Sequence, residues 1–147
     1  MNVSVRKASV EDASIVAVLF NAYRVWYHQP SDIVTANYFI AERLRNNESV
    51  IFLAYINDQA IGFTQLYPIF TSVGMQRAYL LNDLFVDASA RGNGVATALL
   101  NAAKAFAKAH SSKWLMLQTS HDNYAAQALY EKDGWEKERD LLYMYHL

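Results

Sequence analysis

The sequence predicts a mixed α/β fold in which helices cover a central sheet. Three observations support this class: apolar runs of strand length recur along the chain, they alternate with segments of helical periodicity, and neither repeats nor linkers interrupt them. A chain of 147 residues is long enough to bury a core of its own. We therefore expect a single domain spanning residues 1–147.

The chain is predicted to begin with a strand and a helix. Val3 and Val5 alternate with polar neighbours, as in a short strand with one buried face. Ser9 and Asp12 then have the spacing of a capping box, which typically opens a helix. Apolar residues recur at helical spacing from there to Trp26.

A second helix and a hairpin are predicted next. Pro30 ends the first helix, and Ser31 or Asp32 is placed to cap a second one that ends near residues 46–47. The apolar run 50–56 and its return at 61–67 flank a polar turn, which indicates an antiparallel hairpin.

Strands and helices alternate in the remaining half. Pro68 and residues 71–74 are predicted to form a loop before a strand that runs from Tyr79 to Val86. A glycine-containing loop and a helix follow, with Val95, Leu99, Ala103 and Phe106 on one face. The remaining predicted elements are a strand at 114–119, a helix at 121–132 terminated by Asp133 and Gly134, and a final strand at 135–147.

Composition excludes several classes of function. A formal charge of -1 gives no electrostatic attraction to nucleic acid. Without cysteine there is no disulfide framework, cysteine-ligated zinc or thiol nucleophile, and the four histidines lack metal-ligand spacing. No apolar run has the length of a signal peptide core or a membrane span, so we expect a cytosolic protein without metal, membrane or nucleic-acid partners.

The loop between the strand ending at Val86 and the following helix has features of an anion site. Gly92 and Gly94 precede a helix N-terminus, whose free N–H groups favour phosphate, and Arg91 adds a charge. Two glycines alone equally fit an ordinary tight turn. The loop lacks the third glycine of a dinucleotide fingerprint and the Gly-Lys-Ser/Thr of a Walker loop, which disfavours hydride transfer and nucleotide hydrolysis.

In its longer context this loop resembles the acetyl-CoA motif of the GNAT superfamily of N-acetyltransferases. The segment Arg91-Gly92-Asn93-Gly94-Val95-Ala96 matches the pattern Q/R-x-x-G-x-G/A, with Leu84-Phe85-Val86 upstream at the usual distance. The similarity extends from residues 5–8 to 128–135, nearly the whole chain. It implies a mostly antiparallel sheet of six or seven strands, about four helices, and two central parallel strands that separate to admit acetyl-CoA.

The same resemblance implies which residues contact the cofactor. The strand residues would pair through their backbone with the pantetheine arm, and the loop and helix start would hold the pyrophosphate. Asn123 would contact the pantetheine arm or a phosphate, although it equally suits a helix start. The implied cofactor-binding residues are Leu84, Phe85, Val86, Arg91, Gly92, Asn93, Gly94, Val95, Ala96, Thr97, Asn123 and Tyr130.

Catalytic candidates follow from the same similarity. Tyr130 stands where these enzymes commonly place a general acid that faces the thioester sulfur, although an aromatic at a helix end is also typical of packing. Asn82 occupies the position where relatives carry a basic Glu or His, and an asparagine cannot accept a proton. Asp83 is the adjacent acid, but strict strand alternation would turn it away from Asn82, together with Leu81 and Phe85, unless a bulge intervenes.

The run 81–86 is similar to the diamine and histone-type branch of the superfamily, with only the second of two acids retained. Asp83 is thus expected to attract a cationic amine or order a water, or simply to pair with a surface cation. The acceptor would be a polyamine-like molecule or the amine of a lysine or an N-terminus. The implied contacts to it come from Tyr27, His28, Tyr79 and Asp83. The amine would attack acetyl-CoA directly in a ternary complex. The alternative is a noncatalytic acyl-CoA-binding module, and a homodimer is expected because the final apolar strand offers an edge.

Overall fold

The computed structural model describes residues 2–147, which divide into two compact units, residues 2–117 and residues 118–147. The first unit contains the sheet and three helices. The second contains one helix. The described strands are β1 (Val3–Lys7), β2 (Val50–Ile56), β3 (Gln59–Thr71), β4 (Gln76–Val86) and β5 (Leu115–Met116). The α-helices are α1 (Ala13–Trp26), α2 (Ile33–Arg45), α3 (Val95–Ala109) and α4 (Tyr124–Lys132).

The sheet has the order β1-β2-β3-β4-β5. The first four strands are antiparallel to their neighbours, whereas β5 runs parallel to β4. The predicted mixed sheet with helices is therefore confirmed. The described residues form five strands rather than six or seven, and the single domain over residues 1–147 stays a prediction.

Helices cover the two faces of the sheet in the first unit. Alternate residues of β2 show the division: Ile51 and Leu53 belong to the core cluster beneath α1 and α2, whereas Phe52 contacts Phe106 of α3. The ring centroids of Phe52 and Phe106 lie 5.8 Å apart. Both faces are thus buried, which explains why β2 is apolar at every position rather than at every second one.

The start of α1 forms the predicted capping box. The backbone N–H of Ser9 donates to Asp12 Oδ2 at 2.8 Å, and a short 3-10 turn, Val10–Asp12, leads into the helix. Both guanidinium NH groups of Arg6 donate to the same carboxylate, at 2.8 and 2.9 Å. The hydrogen bonds from Arg6 are the main cause that lowers the pKa of Asp12 to about 2.

The predicted end of the strand before residue 68 differs from the structure. Pro68 was expected in a loop, but it lies within β3 and pairs with Tyr79 of β4. The pairing of β3 with β2 ends at Leu66, so Pro68 lies where β3 is an edge strand. A proline is tolerated there because its missing N–H removes no hydrogen bond from the sheet.

The C-terminal strands are also shorter than predicted. The strand expected at 114–119 is reduced to Leu115–Met116, and the expected helix at 121–132 begins at Tyr124 because Asn123 caps it. The final strand expected at 135–147 is not formed among the described residues. Its apolar side chains, including Leu141 and Tyr145, are exposed. Apolar composition favours a strand only where a neighbouring strand pairs with it.

Replacing Asp12 by alanine should lower the free energy of unfolding by about 1–2 kcal/mol near neutral pH, since it removes a helix cap and a partly exposed ion pair. The folded pKa of about 2 lies below the ordinary value of 3.8, so the carboxylate stabilises the fold above that ordinary value. This contribution is lost as pH falls toward the folded pKa.

Urea unfolding of the wild type and the Asp12→Ala variant across this range measures the effect. Glu11→Ala, which alters an exposed neighbour in the same turn, is the matched control and should change stability far less. A difference between wild type and Asp12→Ala that stays constant down to the lowest pH would contradict the prediction.

Candidate active site

A one-residue bulge in β4 organises the centre of the sheet. Gln65 of β3 pairs with Asp83, and the next residue, Leu66, pairs with Leu81, so Asn82 is the extra residue. The bulge reverses the alternation of β4. Tyr79, on the Leu81 side of the bulge, contacts Phe106 of α3, whereas Phe85, on the Asp83 side, contacts Tyr23 of α1.

The expected grouping of Asp83 with Leu81 is therefore wrong, while its grouping with Phe85 holds. Strict alternation had also separated Asp83 from Asn82, yet their side chains are hydrogen-bonded, with Asn82 Nδ2 donating to Asp83 Oδ1 at 3.0 Å. The bulge brings the two predicted catalytic candidates together on the side of the sheet that α1 covers.

Asp83 is an acid in an unusual environment. It is 3% exposed, and Gln65, which is fully buried, donates through Nε2 to Asp83 Oδ2 at 2.5 Å. Ser49 Oγ donates in turn to Gln65 Oε1 at 2.7 Å. The neighbouring Thr64 donates to the backbone carbonyl of Asp83 at 2.8 Å. A polar chain thus enters the core from Ser49 and ends on the carboxyl group.

Burial and hydrogen bonding act on Asp83 in opposite directions. Loss of hydration disfavours the charged form and raises the pKa of the Asp83 carboxyl, while hydrogen bonds from Gln65, Asn82 and Tyr23 oppose that rise. Burial has the larger effect, so the group is poised to exchange a proton at a higher pH than an ordinary aspartate.

Aromatic residues surround this carboxyl group. Burial, and secondarily the charge of Asp83, raises the pKa of Tyr23 and raises that of Tyr67 to about 12. Tyr23 Oη donates to the Asn82 carbonyl at 3.4 Å, and its ring lies 4.9 Å from that of Tyr27. Tyr23 and Tyr67 therefore stay neutral, and they supply rings and hydroxyl groups beside the Asp83 carboxyl group.

The predicted acceptor residues have different surroundings. Tyr27 is 48% exposed at the end of α1, beside Tyr23, and His28 follows it in a left-handed conformation with φ of 65°. Tyr79 is only 2% exposed and packs against Phe106 with a centroid distance of 5.5 Å. Tyr79 therefore lies in the core on the α3 side of the sheet, whereas Tyr23 and Phe85 contact each other on the α1 side.

The edge of β4 next to the bulge lacks a strand partner over most of its length. The parallel ladder with β5 joins Tyr79 to Leu115 and Leu80 to Met116, and among the described residues it extends no further. Among the described residues, the stretch from Leu81 to Val86, which contains the predicted pantetheine-contacting residues, therefore has no strand partner on that side, although the Val86 carbonyl accepts from Arg91 Nε. A peptide-like chain could pair with them as an added strand.

The glycine loop follows β4 directly. Gly92 and Gly94 have φ of 80° and 77°, which other residues rarely adopt, and a Cβ on either would meet open space. No side chain caps the start of α3 at Gly94, so the N–H groups of its first turn lack helical acceptors. The Arg91 side chain folds back onto the carbonyl of Val86 at the end of β4, and the Asn93 side chain donates to the loop carbonyl of Ala90.

A third glycine sets the packing beneath this loop. A Cβ on Gly62 of β3 would lie 2.9 Å from the Phe85 carbonyl oxygen and 3.2 Å from Val95 Cγ1. Glycine at this position therefore allows the beginning of α3 to approach β3 and β4 closely. The predicted cofactor-binding residues Val95 and Ala96 begin that helix, and Thr97 lies exposed in its first turn.

The second unit contains the two remaining predicted site residues. Asn123 caps α4, where its Oδ1 accepts from the backbone N–H of Ala126 at 3.2 Å. Tyr130 lies near the end of the same helix, with its ring centroid 6.2 Å from that of Trp135. The helix-start interpretation of Asn123 is thus confirmed, and the cofactor and acid roles of the two residues stay predictions.

Residues 14–135 match the family model described as acetyltransferase (GNAT) family. The chain belongs to that family. It is 50% identical over 135 residues to YhfO, an uncharacterized N-acetyltransferase of Bacillus subtilis, with 92% of this chain and 91% of the relative covered. A probable acetyltransferase of Haemophilus influenzae is 33% identical over 131 residues, which cover 88% of each protein.

A crystal structure of a probable acetyltransferase is also similar, at a TM-score of 0.92 and 35% identity over 98% of this chain and 97% of that one. The GNAT protein is therefore an acyltransferase rather than a noncatalytic module, and its family implies acetyl-CoA as cosubstrate and an amine as acceptor. The diamine and histone-type branch is not confirmed by these relatives. In the described part of the chain, no helix has the length and apolarity of a membrane span.

Sequence reasoning did not single out Gln65, Ser49 or Thr64. The available signal was the pair Thr64-Gln65 in the middle of an otherwise apolar strand. Buried polar side chains are retained where hydrogen bonds satisfy them, so such a pair marks a polar contact between strands.

Replacing Asp83 by asparagine should change how stability depends on pH. Because the folded pKa of Asp83 is raised, the wild-type fold loses stability as pH rises from the ordinary value of 3.8 through the folded value. The variant has no such group, so its stability relative to the wild type should increase over that window and then become constant. Thermal unfolding of both proteins across pH measures this difference, and a difference that does not vary with pH would contradict the raised pKa.

Proposed function

We propose that this GNAT protein acetylates a primary amine that binds as an ammonium ion at the Asp83 carboxyl group. The observation that carries the proposal is a buried acid, 3% exposed, on the stretch of β4 that has no strand partner at its outer edge among the described residues. A negative charge with tyrosine rings around it favours a cationic group, since both the carboxylate and the aromatic faces attract it. A polyamine-like molecule, a lysine side chain and a protein N-terminus all present such a group.

The residues near the β4 edge suit acetyl-CoA, which when bound supplies the acetyl group as a thioester. The backbone of Leu84, Phe85 and Val86, at the edge of β4, would pair with the pantetheine arm. The loop from Arg91 to Gly94 would hold the pyrophosphate, supported by the left-handed glycines and the uncapped start of α3 at Val95, Ala96 and Thr97. Asn123 would add a further contact to the cofactor.

In this proposal the acceptor nitrogen attacks the thioester carbonyl directly, in a ternary complex. A C–N bond forms and the C–S bond breaks. The ammonium loses one proton before attack, the nitrogen loses a second once it is acylated, and the leaving thiolate gains one, so one proton is released overall. Asp83 binds the ammonium, and its raised pKa suits it to receive the proton or pass it to a water held with Asn82. Tyr130 would donate the proton to the thiolate.

Tyr27 and His28 would line the entrance for the acceptor at the end of α1. Tyr27 is the better supported of the two because its ring contacts Tyr23, which faces Asp83. The resemblance of residues 81–86 to the diamine and histone-type branch also favours a cationic acceptor. The homodimer and the cytosolic location expected from the sequence stay predictions.

A panel of amines tests the proposal. Purified protein is mixed with acetyl-CoA and with polyamines, amino acids or lysine peptides, and thiol release is followed against controls without acceptor. We expect turnover with at least one cationic amine. The Asp83→Asn variant should raise KM for that amine by roughly tenfold or more, as for a lost charged hydrogen bond. Equal KM values for the two proteins, or turnover confined to uncharged acceptors, would contradict the role of Asp83.

Replacing Tyr130 by phenylalanine tests the general acid. Loss of positioned proton donation typically costs about 10²- to 10⁴-fold in rate, so kcat should fall within that range while the Kd for coenzyme A stays unchanged. Calorimetric titration with coenzyme A provides the second measurement. Tyr124→Phe, an exposed tyrosine at the start of the same helix, is the matched control and should retain wild-type kcat. Unchanged turnover in Tyr130→Phe would remove the general-acid role.

A further inference from the structure

The hydrogen bonds of Asp83 assign each carboxylate oxygen a separate partner. Oδ2 accepts from Gln65 Nε2 inside the core. Oδ1 accepts from Nδ2 of Asn82, which is an exposed residue. A carboxylate accepts at both oxygens, whereas a protonated carboxyl group must direct one O–H toward an acceptor. This pattern of two amide donors therefore favours the ionised form and opposes the effect of burial.

Ser49 determines which end of the Gln65 amide faces Asp83. Its hydroxyl donates to Gln65 Oε1 at 2.7 Å, which leaves Nε2 pointing to the carboxylate. The opposite orientation would place Oε1 against a negatively charged oxygen. Since Ser49, Gln65 and Asp83 are all buried, water cannot readily replace either hydrogen bond.

We propose that Gln65, anchored by Ser49, is a positioning residue that fixes the Asp83 carboxylate and leaves Oδ1 as the oxygen that meets the acceptor ammonium. This inference rests on the proposed function of Asp83 in acceptor binding. It assigns a role in specificity to a side chain that does not itself touch the substrate. The site would then favour an unhindered primary ammonium, because one oxygen in a fixed direction receives it.

Several other groups surround the carboxylate and enter any measurement of its titration. Tyr23 lies on α1 and acts on Asp83 directly, with Tyr27 beside it, and Tyr67 lies on the same side from β3. The charge of Arg43 on α2 lowers the pKa of Tyr67, and the charge of Glu48 raises it. Burial raises the pKa values of Tyr23 and Tyr67 above the usual range of tyrosine. Titration at acidic and neutral pH therefore reports on Asp83 rather than on these two tyrosines.

The test compares Gln65→Met, Ser49→Ala and Thr64→Val. Methionine keeps the length and volume of glutamine but removes the donor. Thr64→Val is the matched control, because Thr64 is equally buried on the same strand and donates only to the Asp83 backbone. Carboxyl ¹³C NMR of the full chain follows the Asp83 midpoint, with its signal assigned by Asp83→Asn, and the pH profile of kcat/KM follows the same group in turnover.

We expect Gln65→Met to raise the Asp83 midpoint by about one to two pH units, as for the loss of one hydrogen bond to a charged group. The acidic limb of kcat/KM should move with it, and KM for the cationic amine should rise more than kcat falls. Ser49→Ala should shift the midpoint in the same direction by less, and it carries the test if Gln65→Met does not fold. Thr64→Val should leave the midpoint in place.

The proposal would be overturned if the Asp83 midpoint in both Gln65→Met and Ser49→Ala equals that of the wild type. It would also be overturned if Thr64→Val raises the midpoint as much as Gln65→Met does. The NMR titration needs no turnover, so it decides the role of Gln65 even if no amine on the panel is acetylated. A shifted midpoint with an unshifted acidic limb would overturn the link to the acceptor while leaving acetyl transfer itself intact.

Discussion

The extra residue in β4 at Asn82 is the constraint on which the candidate site depends. Without it, Asp83 would face α3, on the side occupied by Tyr79 and Phe106, and could not reach Gln65. With it, Tyr79 lies on the α3 side of the sheet, whereas Asp83 and Phe85 lie on the α1 side. A bulge changes the facing of every residue after it because the side-chain period of a strand is two.

Burying a carboxylate opposes folding unless hydrogen bonds compensate for lost hydration. Here the compensation comes from two side-chain amides and from the Tyr23 hydroxyl group, and the raised pKa of Asp83 indicates that it is incomplete. A core built for stability alone would place an apolar residue at this position. The retained cost is consistent with a group that serves the chemistry of the acyltransferase, since active sites commonly reduce the stability of the fold that contains them.

Much of the fold could be predicted from local patterns. The range of β2, the capping box at Ser9 and Asp12 and the cap at Asp32 depend on neighbouring residues only, and the structure contains all three. Predictions failed where distant partners decide. Pro68 is tolerated in β3 because β2 has already ended there, and residues 135–147 have strand-like composition without forming a strand.

The site divides in the same way. The sequence by itself determined the family, through the spacing of Arg91, Gly92 and Gly94 after the strand that ends at Val86, because a phosphate loop is a local structure whose glycines are required by backbone conformation. It also singled out Asp83 as the remaining acid. Only the tertiary structure decided that Asp83 turns toward α1 and that Gln65 and Ser49 hold it, because bulge position and hydrogen bonds between strands depend on pairing across the sheet.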